Sequence, residues 1–165
     1  MIRMPRGPVR YVSLLALVAA TLLAPAAPAN ANPVANLSCT ITVTTDINPA
    51  VTPQLQTRAA TSHGSTGTAD CTGTVDGQAV TGPGTLALSA QSFGNCTSAD
   101  GSASFILKVP TANGIRTIAG GYDFQGNPLT LTGDLTGTTR ITGANGDCVN
   151  TPITQTTQVL TVTMP

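Results

Sequence analysis

The sequence predicts an all-β fold: one small barrel, or partly closed barrel, of about eight antiparallel strands, with a two-sheet β-sandwich as the alternative. Three observations predict it. Threonine dominates the chain after Ala31; it is β-branched, and its hydroxyl suits a solvated sheet face. Glutamate is absent and Lys108 is the only lysine, so the strong helix formers are missing. Runs of alternating apolar and hydroxyl residues recur, bounded by Asp-Gly, Asn-Gly and Gly-Pro turn signals.

Met1–Ala31 reads as a cleaved signal peptide, with Arg3, Arg6 and Arg10 before the apolar run Val12–Leu23 and small residues at Ala29-Asn30-Ala31. The run is too short for the roughly 20 residues a bilayer span requires. Asn32–Pro165 is then one secreted domain. Leu37–Thr45 alternates Leu37, Cys39, Ile41 and Val43 against hydroxyls, a strand with one buried face. Asp46–Pro53 contains two prolines and reads as a loop. Leu55–Ser62 is a weaker strand with Leu55, Thr57 and Ala59 on one side, and His63–Gly67 a turn.

Gly67–Ser89 predicts a β-hairpin around Asp76-Gly77, which suits a type I′ turn because both central residues take positive φ. Gly82-Pro83-Gly84 interrupts its second arm, since proline has no ladder donor. Gly94–Gly101 reads as a connection ending in a tight turn at Asp100-Gly101. Ser102–Val109 is a strand, Asn113-Gly114 a second hairpin turn of the same kind, and Ile115–Phe124 the returning strand. After a turn at Gln125–Pro128, Leu129–Thr142 reads as one strand, Gly143–Pro152 as a loop and Ile153–Met164 as the last strand.

Four cysteines in an exported chain predict two disulfides. Cys39 and Cys71 sit in strand patterns; Cys96 and Cys148 sit in loops rich in Gly, Asn and Asp. Pairing like with like predicts Cys39–Cys71 and Cys96–Cys148.

Without the signal segment, Arg58, Lys108, Arg116 and Arg140 face seven aspartates. Nucleic acid and anionic membrane, which demand clustered basic residues, are not expected partners. His63 is the only histidine, so a Ser–His–Asp triad would have to use it with Ser62 or Ser65, and no G-x-S-x-G elbow is present. Glycosidase-type carboxylates would be Asp123 and Asp134, within predicted strands; Asp76, Asp100 and Asp147 stand beside glycines at turns. A zincin site needs a second histidine and a glutamate, and Asn145-Gly146-Asp147 lacks EF-hand spacing, so neither metal nor cofactor is expected. A protease-inhibitor loop would centre on Arg116. Tyr122, Phe105, Leu131 and Leu135 are the candidate lining of a pocket for an apolar ligand inside the barrel.

The export signal, the Thr/Gly-rich strands and the closing GDCVNTPITQTTQVLTVTM resemble small secreted proteins of actinobacterial type, which are largely uncharacterised; the resemblance implies no activity. ADGSASFILKV is also similar to a strand of the secreted chromophore-carrying apoproteins typified by neocarzinostatin. Their disulfides close short local loops, whereas these cysteines are far apart in sequence, and no binding residue is carried over. The expectation is a secreted, disulfide-stabilised, non-enzymatic β-protein, a cell-envelope or extracellular binding or structural module. The alternative is a small apolar-ligand carrier using the barrel interior, ahead of an Asp-based hydrolase or a protease inhibitor. Its partner would be a small apolar ligand or a cell-wall component.

Overall fold

A computed structural model of the chain describes residues 34–64 and 67–165. The expected signal segment lies outside the described residues. Ten strands follow one another: β1 (Ala35–Val51), β2 (Gln56–Ser62), β3 (Gly67–Val75), β4 (Gln78–Ala79), β5 (Gly84–Gly94), β6 (Ala99–Thr111), β7 (Gly114–Gly126), β8 (Leu129–Gly133), β9 (Thr136–Ala144) and β10 (Ile153–Met164).

They form a ring of eight positions, because β2 and β3 occupy one place in succession and β4 is an appendage of β3. β1 pairs with β3 through Ala35–Thr42 and with β2 through Thr45–Asn48, while its other edge pairs with β10. From β2 and β3 the ring continues antiparallel through β5, β6, β7, β8 and β9 back to β10. It is only partly closed. β8 reaches β9 at just Leu129–Leu131, and β7 meets β8 only from Tyr122 onward. Beside the resulting slit the fully buried Leu135 fills the interior, and Asp134 exchanges two hydrogen bonds with Gly121: its N–H donates to the Gly121 carbonyl, and its carboxylate accepts from the Gly121 N–H.

Alternation sorts the side chains. Leu37, Ile41, Val43, Leu86, Leu107, Val109, Leu160 and Val162 point inward and are buried, forming one core with Phe105. Outward, the strands carry hydroxyls in register: Thr72, Ser38, Thr163 and Thr136 lie side by side on β3, β1, β10 and β9. The barrel is therefore apolar within and hydroxyl-coated without.

The Asp76-Gly77 turn forms as expected, with φ of 51° and 73°. The two arms keep a single register at both ends, Val75 opposite Gln78 and Gly67 opposite Leu86, and part around Gly82-Pro83. Both disulfides pair as expected. Four readings are corrected. Asp46–Val51 continues β1 and is not a loop, because Asp46, Ile47 and Asn48 find partners on β2. Asp100-Gly101 is not a turn but lies within β6, opposite Phe93 and Ser92; Gly101 is there because a Cβ would collide with the Gln91 carbonyl and the Phe124 ring. Leu129–Thr142 is two strands, split at Asp134-Leu135 after Gly133, whose φ is +132°. At the β6–β7 hairpin the turn sits at Ala112-Asn113, and Gly114 carries the positive φ.

Candidate functional site

At one end of the ring the inward side chains become small. Ala60, Ala90 and Ala103 are opposite one another on β2, β5 and β6, and Ser92 and Gly101 occupy the next rung toward the mouth. Side chains this small leave part of the interior unfilled, and a cavity of about 180 Å³ lies against Ala60, Ala90 and Ser92. Its walls include Ile47, Ala60, Leu88, Ala90, Phe124 and Leu131.

The roof is a disulfide. Cys96 belongs to the β5–β6 connection and Cys148 to the β9–β10 connection, which leave the same end from opposite sides of the ring. Their Cα atoms are 5.8 Å apart, so the two loops fold inward and the bridge crosses the mouth. Both cysteines line the cavity. Asp147 shapes the second loop. Its carboxylate accepts N–H bonds from Thr151, Asn150 and Val149 at 2.7–3.1 Å and one from the Asn150 side chain at 2.8 Å. These donors, Thr151 first, hold the carboxyl at about 2. A second pocket adjoins the cavity along Thr97, Asn127 and Arg140. Leu55, Ile141 and Val149, all more than half exposed, stand at this same end.

Three polar features interrupt the apolar wall. Arg58 is 4 % exposed, and its guanidinium donates to four backbone acceptor contacts: Ala50, Gln56, Gly94 and Gln54, at 2.6–3.2 Å. It ties the β1–β2 connection to the end of β5, and burial lowers its pKa. Tyr122 is 8 % exposed, and burial pushes its hydroxyl up to about 12. Thr45 and Thr156 share a hydrogen bond at 3.0 Å, and the Gln158 amide donates to Thr45 at 3.1 Å.

Of the residues expected to line a pocket, Tyr122 and Leu131 do so; Phe105 and Leu135 lie in the filled part of the core. Arg58 was not among them, because Leu55, Thr57 and Ala59 read as the phased face of β2. That face points outward, and Arg58 and Ala60 point in. The row of alanines was the available signal: Ala60, Ala90 and Ala103 occupy inward phases of three separate strands.

The other sequence candidates lie elsewhere. His63 Nδ1 meets the Asp46 carboxylate at 2.8 and 2.9 Å on the surface, joined by the Gln155 amide. Gln155 first, then His63, hold the Asp46 carboxyl below its ordinary value. Ser62 does not face this pair: its hydroxyl exchanges hydrogen bonds with the Leu88 backbone. Ser65 lies outside the described residues. Asp123 and Asp134 are exposed on the barrel's outer surface. Arg116 lies within β7 opposite Val109, not in a loop. No family model, curated protein or solved structure matches the chain.

Proposed function

We propose that this protein is an extracellular binding module that holds a small apolar molecule inside its barrel, beneath the Cys96–Cys148 bridge. The cavity walled by Ala60, Ala90, Leu88, Leu131 and Phe124 carries the reading. Empty apolar cavities of about 150 Å³ in other proteins stay dry and take up benzene. At about 180 Å³, this cavity suits a ligand of roughly six to ten non-hydrogen atoms. The extracellular setting is supported by two disulfides, which persist in oxidising compartments. The hydroxyl-coated exterior favours water over bilayer, since a membrane-spanning barrel carries an apolar band outside.

The test is to titrate the folded protein with toluene and follow the methyl resonances of Leu88, Leu131 and Ile47. Saturable shifts confined to the cavity are expected. Ala90→Leu fills the space, so it should abolish those shifts while leaving thermal stability equal or higher. Toluene shifts that persist in that variant would remove the cavity as the binding site.

A further inference from the structure

The charges on the cavity wall are out of balance, and the imbalance points to what the ligand carries. This rests on the cavity reading above and sharpens it. A guanidinium has five N–H groups. Arg58 uses four, all on backbone carbonyls, and among the described residues no carboxylate pairs with it. A buried cation with no counter-charge is costly, and an anion beside it would recover that cost. The Tyr122 side chain lines the cavity, and its hydroxyl is free to donate or accept there. Of the two hydroxyl protons in the Thr45–Thr156 pair, one lies between the oxygens and the other is left over, because Thr45 also accepts from Gln158. Asn95, at the mouth, spends its carbonyl oxygen on Thr97 and Ser98 and keeps its amide N–H groups unspent. The Tyr122 and Ser92 hydroxyls can donate or accept, Arg58 can only donate, and no Asp among the described residues lines the cavity, so the wall carries one cation and no matching anion.

We infer that the ligand is a small apolar monocarboxylic acid bound as its anion. Its hydrocarbon body lies against the Ala60–Ala90 wall, and its carboxylate is taken up by Arg58. A charge-assisted bond from guanidinium to carboxylate is about twice as strong as a neutral one. One cation suits one negative charge. A phosphate or sulfate ester, more highly charged and more strongly hydrated, would need further basic residues, and Arg58 is the only one in the cavity wall.

The experiment compares three probes of similar size at pH 7: benzoate, benzamide and toluene. Benzoate is expected to bind about tenfold tighter than either neutral probe. It should also shift the Arg58 Nε–H resonance, which toluene should leave in place. In Arg58→Gln, benzoate should lose its tenfold advantage and bind no tighter than benzamide. Should that variant fail to fold, the wild-type probe series and the Arg58 resonance decide alone. Toluene or benzamide binding as tightly as benzoate, or benzoate binding without moving the Arg58 resonance, overturns the inference and leaves the apolar-cavity reading standing. No binding by any of the three removes both.

Discussion

Gly73 and Gly137 show how little freedom single positions have in this barrel. Gly73 has a φ of +117° and Gly137 one of +150°. A Cβ at either would run into a neighbouring strand's carbonyl, that of Asn36 or of Thr161. Gly137→Ala should therefore cost more than about 2 kcal/mol in urea unfolding, because backbone strain and collision act together. Leu107→Ala, in the filled half of the core, should cost about 2–5 kcal/mol through the void it leaves. Asp147 carries the acid response. Its folded-state pKa of about 2 lies below the ordinary 3.8, so its contribution is complete above pH 4 and is lost as pH falls through 2. Amide exchange in the 145–151 loop should rise over that window, and Asp147→Asn should remove the pH dependence. At this scale the sequence is uneven as a guide. Asp76-Gly77 is legible because its turn chemistry is local. Arg58 is not, because an arginine on an inward phase contradicts the ordinary rule for charged residues, and the carbonyls that receive it come from Ala50 at the end of β1, Gln54 in the β1–β2 connection and Gly94 on β5.

Among the elements, the two disulfides have separate duties. Cys39 and Cys71 are direct cross-strand partners on β1 and β3, with Cα atoms 4.1 Å apart, inside a ladder that already pairs. Cys96 and Cys148 join loops that share no ladder. On loop-closure entropy each contributes about 4 kcal/mol, for separations of 32 and 52 residues. Serine replacement of either pair should lower stability by a similar amount. Only the Cys96/Cys148 replacement should also speed toluene entry and exit, measured by NMR exchange spectroscopy; equal rates in both variants would mean the bridge is no barrier. Strand existence is legible from alternation, and so is the cysteine pairing, since each pair shares a local setting. The break at Asp134-Leu135 is not, because the Thr-Gly-Asp-Leu-Thr pattern keeps its phase while the chain turns to bond Gly121. Gly101 misleads for the opposite reason: it reads as a turn signal, yet it is demanded by the approach of β5 and Phe124.

For the molecule as a whole, the exterior hydroxyl rows predict unusual indifference to salt. The surface holds few charges, and the ion pair found among the described residues, His63–Asp46, is exposed and worth little. The urea midpoint should move little between low and high sodium chloride, apart from the general effect of salt on apolar burial. The all-β class is legible from composition and from alternating runs bounded by turn signals. Neighbour order is not, because the β1–β10 pairing depends on residues more than a hundred positions apart, as Thr45 and Thr156 show. The alanines on inward phases hint at the cavity, but it takes shape only from registry, when Ala60 and Ala90 fall opposite one another.

That union of β1 with β10 imposes an order of assembly. The earliest ribbon must keep one flank of bare amides and carbonyls until residues 153–164 arrive to cover it. A chain delayed at that stage offers its flank to any newcomer, and the best-fitting newcomer is the tail of a twin. Interlocked pairs, each lending its final strand to the other, are the expected mishap at high concentration.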